Sequence, residues 1–137
     1  MVREEIRFQT HGENDVIDVT DHVRRVVAKS GIADGTVHLF TPGATAGVTA
    51  IEFEPGCVKD LKDAMERVAP RHAHYDHNAR WGDGNGFSHV RAALLGPSLS
   101  VPLAGGELVT GTWQQLVVVD FDNHPRERRL LITVEGE

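Results

Sequence analysis

Residues 72–89, HAHYDHNARWGDGNGFSH, hold four of the chain's eight histidines together with two aspartates and three glycines. Imidazole titrates near neutral pH and is a frequent ligand for zinc and related ions, so this stretch offers acid/base or metal chemistry. The spacing is not the H-E-x-x-H of a helical zinc site, and no cysteine pair assists. With a helix predicted from Phe87, His89 falls in its first turn, and His77, twelve residues earlier, can meet it across the loop. His77 and His89 are therefore the candidate catalytic pair and equally the candidate ligands of a divalent metal, Mg²⁺ or Zn²⁺. A structural role is the third reading. His72 and His74 are expected to face solvent.

Gly82, Gly84 and Gly86 stand just before the same predicted helix. Glycines let successive backbone N–H groups turn toward one point, and a helix N-terminus adds unsatisfied donors and the positive end of its dipole. Gly84, Asn85 and Gly86 are thus candidate phosphate contacts, with Ser88 as cap or ligand. A tight turn followed by an ordinary helix cap is the plainer reading of the same residues, and from spacing alone it carries more weight. The pattern matches neither a Walker loop nor a dinucleotide fingerprint.

Carboxylates and an aromatic block complete the candidates. Glu52 and Glu54 share one face of a strand predicted over 47–54, as acids, bases or Mg²⁺ ligands would, although such a face is usually just solvated. Asp76 and Asp83 lie inside the histidine loop. Asp60, Asp63 and Glu66 fall on the polar side of a helix and carry no expected role. In GTWQ, residues 111–114, Thr112 and Gln114 are placed to hydrogen-bond a heterocycle and Trp113 to stack on it, while an indole on a strand is more often core. Arg126 is a candidate counter-charge for an anion, or a surface cation.

These groups must be positioned by the elements around them. Residues 3–19 read as a β-hairpin, 21–30 as a helix stopped by Gly31, and 36–41 and 47–54 as strands. Leu61, Ala64, Met65 and Val68 recur at three and four up to Pro70 as an amphipathic helix, and FSHVRAALLG gives a helix of about ten residues ending at Gly96. SLSVPL, ELVTGTWQQLVVVDFD and RRLLITVEG close the chain as an antiparallel meander. The strand TWQQLVVVDF is apolar on both faces, which suits a central strand covered on both sides or one lying in a subunit interface. Strands and helices in segregated runs make this an α+β domain, with mixed or antiparallel sheets packed on two to three helices.

At 137 residues the chain is read as one domain, residues 1–137. A net charge of -6 argues against a sequence-independent nucleic-acid binder. The single Cys57 excludes an internal disulfide, and no apolar run approaches the ~20 residues of a membrane helix, so no membrane partner and a cytoplasmic location are expected.

SLSVPLAGGELVTGTWQQL, residues 98–116, resembles the signature segment of the YjbQ-like family, formerly of unknown function and now often described as secondary thiamine-phosphate synthase enzymes. TAGVT (45–49), APRHAHYDH (69–77), NGFSH (85–89), LLGPS (94–98) and DFDNHPRERR (120–129) extend the likeness over nearly the whole chain. The resemblance implies a compact α+β homotrimer with a site around His77, Asn85, His89, Ser98 and Glu52. It also implies the joining of a pyrimidine methyl diphosphate to a thiazole phosphate with release of pyrophosphate. That chemistry asks for a phosphate cradle, commonly Mg²⁺, and stabilisation of a pyrimidine cation, parts that the glycine loop, His77, His89 and Trp113 would supply. The chain departs from the family pattern at Gly43-Ala44, where His-Thr is common, at Ile51, where Asn is common, and at Phe87, where His is frequent. It is also shorter than the ~200 residues of the barrel used by the main thiamine-phosphate synthases, so any such activity sits on another scaffold. A non-catalytic trimeric module binding metal or a phosphorylated ligand, and a metal-dependent phosphoester hydrolase, are the rival readings.

Overall fold

The computed structural model describes residues 1–137. In chain order the elements are β1 (Val2–Gln9), β2 (Asp15–Asp18), α1 (Thr20–Ser30), β3 (Gly35–Phe40), β4 (Ala46–Ile51), α2 (Pro55–Val68), α3 (Asp76–Trp81), α4 (Gly86–Leu95), β5 (Ser98–Ala104), β6 (Glu107–Leu108), β7 (Gln115–Asp120) and β8 (Glu127–Gly136). The strands form two antiparallel sheets, one of five strands in the order β1-β8-β3-β5-β6 and one of three in the order β2-β7-β4. The α+β expectation holds, with four helices instead of two or three.

Alternation decides which residues meet. Val37 and Leu39 of β3, Val101 and Leu103 of β5, and Leu130, Ile132 and Val134 of β8 turn to one side and pack against Val19, Val23, Val26 and Val27 around α1. Leu116 and Val118 of β7 join them from the smaller sheet. The opposite face of β7, with Val117, Val119 and Phe121, packs on Ala92 of α4 and on Leu61 and Met65 of α2. Strand β7 is therefore buried on both faces within one molecule, which accounts for its doubly apolar pattern without a subunit interface.

Three local readings are corrected. Residues 3–19 are not a hairpin: β1 pairs with β8 in one sheet and β2 with β7 in the other. Alternation identifies a strand but not its partner, and the chain changes sheets at His11–Asn14, where Gly12, Glu13 and Asn14 all take positive φ. The C-terminal third is not a meander, because β7 and β8 lie in different sheets. Finally, 107–122 is two strands separated by a turn in which Gln114 N–H bonds the Gly111 carbonyl at 3.0 Å and Gln114 Oε1 accepts from Gly111 N–H at 2.7 Å. No helix is long and apolar enough to cross a membrane.

Candidate functional site

Helix α4 lies on the outer face of the three-stranded sheet, and its position is fixed at both ends and in the middle. At its start, a Cβ on Gly86 would sit 2.5 Å from Tyr75 Cβ, so only glycine permits this approach, and Gly86 N–H bonds Asn78 Oδ1 at 2.8 Å. At its end, Val48 N–H of β4 bonds the Gly96 carbonyl at 2.9 Å. Between them the buried Arg91 reaches the Ala69 carbonyl at 2.9 Å, Asn14 Oδ1 at 3.0 Å and Glu66 Oε2 at 2.6 Å, with its guanidinium 4.9 Å from the Phe87 ring centroid. Phe87 itself is core, at 1% exposure.

This scaffold holds His89 one turn into α4, facing the corner between β3 and β4. A groove of about 270 Å³ is lined by Gly43, Ala44 and Ala46, by His89, Ala92 and Ala93 of α4, and by Pro97. The spacing of His89, Ala92 and Ala93 places all three on one helix face. His77, near the start of α3, stacks against His89 with ring centroids 4.3 Å apart and planes tilted by 40°. Its Nδ1 is buried without a hydrogen-bond partner, the only buried side-chain polar atom so placed, and the nearest carboxylate oxygen, Asp83 Oδ1, lies 3.5 Å away. Burial and the neighbouring His77 hold the His89 imidazole below its usual range, against the opposing charges of Asp83 and Asp122. His89 is accordingly neutral at neutral pH and free to accept a proton.

The other expected residues divide. Asn85 is buried at the head of α4, where its Oδ1 accepts from Ser88 Oγ and from Asn123 N–H at 3.2 Å. Its own N–H bonds Asp83 Oδ1 at 3.1 Å, and Ser88 and His89 donate their N–H groups to the Asn85 carbonyl. Those amides, with Gly86's, are spent inside the protein. Gly84 is exposed at φ +66 in the preceding turn. Ser98 opens β5 next to Pro97 of the groove, exposed and paired in register with Phe40. Glu52 is exposed just past the end of β4, whereas Glu54 is tied down as the N-cap of α2. Thr112, Trp113 and Gln114 occupy the exposed turn after β6, with Trp113 69% exposed. Arg126 pairs through Nε with the buried Asp122 at 3.1 Å. His72 and His74 are exposed, as expected.

Sequence reasoning missed the charged network beneath the groove. Arg128 has 8% side-chain exposure and reaches Asp120 through Nε at 3.0 Å and Nη2 at 2.9 Å, and Thr45 through Nη2. Thr45 in turn donates to Asp122 at 2.9 Å. Burial pushes the Asp122 carboxyl up, but hydrogen bonds from Thr45 and Arg126 outweigh it and hold the group below the usual carboxylate range. A signal was present. Arg128 shares the inward parity of Leu130, Ile132 and Val134, and Asp120 that of Leu116 and Val118. Two opposite charges on the core-facing sides of two strands announce a buried pair.

A resident metal needs more donors than this. Nowhere do three or more His, Cys, Asp or Glu side chains converge as a metal site. Two imidazoles fall one short of the three protein ligands of catalytic zinc sites, and they are the wrong chemistry for the oxygen shell of Mg²⁺.

The comparisons with known proteins agree over the whole chain. Residues 4–137 match a family model described as UPF0047 protein YjbQ-like. A UPF0047 protein of Mycobacterium bovis is 40% identical over 88% of this chain and 92% of its own length. Another, from Methanothermobacter thermautotrophicus, is 35% identical over 98% of this chain and 92% of its own. The crystal structure of a protein of unknown function from Sulfolobus solfataricus superposes with a TM-score of 0.94 at 31% identity, covering 99% of this chain and 97% of that one.

Proposed function

We propose, from the premise that this chain belongs to the YjbQ-like UPF0047 family, that it is a small-molecule enzyme working through His77 and His89 on a phosphorylated substrate. Thiamine-phosphate synthesis is the reaction to which the family resemblance points. The observation that carries the reading is the stacking of the two imidazoles at 4.3 Å, with a buried, unpartnered nitrogen on His77. A buried polar atom left without a partner costs about 1–3 kcal/mol, a cost that a hydrogen bond from a bound ligand would relieve.

His89, held neutral, is the group that takes a proton from or returns one to a ligand in the groove. His77 is the positioning residue: its ring fixes the orientation of His89, and its charge, when present, opposes protonation of that neighbour. In the condensation, the C–O bond to the diphosphate breaks and a C–N bond to the thiazole nitrogen forms, so the chain's task is to orient both parts and stabilise the departing oxygens. Asn85 supports this indirectly by building the head of α4. Glu52, Ser98, Thr112, Gln114 and Arg126 stand outside the groove lining. A homotrimer, in which a neighbouring copy presents its Trp113 turn, is the assembly in which they would contribute, and the exposure of that indole supports it. Light scattering at three times the chain mass is the expected result.

His89→Ala should lower turnover by about 10²–10⁴-fold, the range general acid/base groups supply, with the thermal midpoint little changed. Unchanged rates with purified substrates would remove His89 from the mechanism. A second reading, a ligand-binding module without catalysis, draws on the unpartnered Nδ1 of His77. Stoichiometric retention of inorganic phosphate, with no product by mass spectrometry, would favour it.

A further inference from the structure

We infer that the Gly43-Ala44 corner of the groove, and not the glycine loop before α4, is the seat for an anionic group, a phosphate or a small oxyanion of similar shape, held by Nη1 of Arg128 together with His89. The inference rests on the reading of the groove as the substrate site and names the chemistry it recognises.

Arg128 spends Nε and Nη2 on Asp120 and Thr45, while Nη1 makes no hydrogen bond inside the protein. That free nitrogen lies directly under Gly43: a Cβ there would come within 2.7 Å of it. Gly43 has φ +139, a backbone conformation that side chains other than hydrogen rarely adopt. A guanidinium 8% exposed thus presents one unpartnered donor through a gap that only glycine leaves open. Gly43 itself lines the groove together with His89, and Arg128 stands behind that glycine.

Charge supports the same assignment. Asp120 and Asp122 balance Arg128 and Arg126 within the network, so the site is neutral enough to stay folded when empty, and an anion on Nη1 adds a charge-assisted bond without stripping a partner. The remaining lining, alanines and Pro97, is small and apolar. At about 270 Å³ the groove is below the ~300 Å³ at which pockets begin to enclose drug-sized ligands, so it takes the head of a small molecule. By contrast, the amides of Asn85, Gly86, Ser88 and His89 already have acceptors within the protein.

Inorganic phosphate titrated into the ¹⁵N-labelled protein at pH 7 tests this. Saturable shifts are expected at the amides of Gly43 and Ala44, at the Arg128 Nε–H and at the His89 ring, with little change at Gly84–Gly86. Ala44→Glu, at an exposed position, should weaken the binding about tenfold by like-charge repulsion while leaving the spectrum folded. Gly43→Ser should also abolish the shifts. Shifts centred on Gly84–Gly86, saturable binding indifferent to Ala44→Glu, or no saturable shift at all would each overturn the seat. Loss of turnover in His89→Ala without phosphate binding would sink this inference and spare the enzyme reading. Phosphate binding as described, with turnover intact in His89→Ala, would do the reverse.

Discussion

Two glycine-bearing corners adjoin His89, and they dispose of their hydrogen-bond donors in opposite ways. In the Gly82–Gly86 loop, the glycines announce an anion cradle by sequence, yet the amides at its end are consumed by Asn78, Asp83 and the Asn85 carbonyl. Gly86 is needed there because Tyr75 presses against it. At the Gly43 corner a single glycine lies over a buried arginine with one donor unspent. Glycine content by itself therefore says little about ligand binding. What matters is whether the donors that the glycine exposes already have partners.

The comparison can be broken first at Arg128. Arg128→Leu would strand Asp120 and Asp122, which are 0% and 1% exposed, and should cost about 3–5 kcal/mol, read from the urea midpoint at constant m-value. A loss under 1 kcal/mol would mean that water reaches those carboxylates. At the other corner, Gly86→Ala forces a methyl onto Tyr75 and should cost about 1–3 kcal/mol by the same assay. Gly84→Ala meets no neighbouring backbone and pays only for its φ of +66, about 1–2 kcal/mol. If Gly84→Ala proves the costlier of the two, packing against Tyr75 is not what requires glycine at 86.

The smallest effect is on pH dependence. His89 has a folded pKa below its ordinary value of 6.5, so the unfolded chain takes up the proton first as the solution is acidified. The stability contributed by its neutral form is complete above pH 6.5 and is lost as pH falls through the lower folded value. Asp122, depressed from 3.8, adds its own loss only in stronger acid. His89→Gln should flatten the first decline and leave the second, measured as urea stability from pH 7 downward.

Much of the fold was legible in the sequence because local periodicity and stop signals sufficed. Helices α2 and α4 follow from Leu61, Ala64, Met65 and Val68 and from the run to Gly96. The short α3 was not legible, since six residues, Asp76–Trp81, carry too few apolar positions to show a period. Strand partners were beyond reach for another reason: β1 and β2 alternate correctly, but pairing is settled by contacts a hundred residues away in β8 and β7. At the site, His77 and His89 could be proposed because a short loop limits how far they can separate. Arg128 required combining strand parity with charge across two strands, and Gly43 required coordinates.

The most direct test of the account is the pH titration of the His89 ring by NMR, in the native protein and in His77→Gln. The account predicts a native midpoint below 6.5 that moves upward, without reaching the value of an exposed histidine, when the neighbouring imidazole is removed. A His89 ring that titrates at its ordinary value and ignores the loss of His77 would contradict the claim that the two imidazoles form one site.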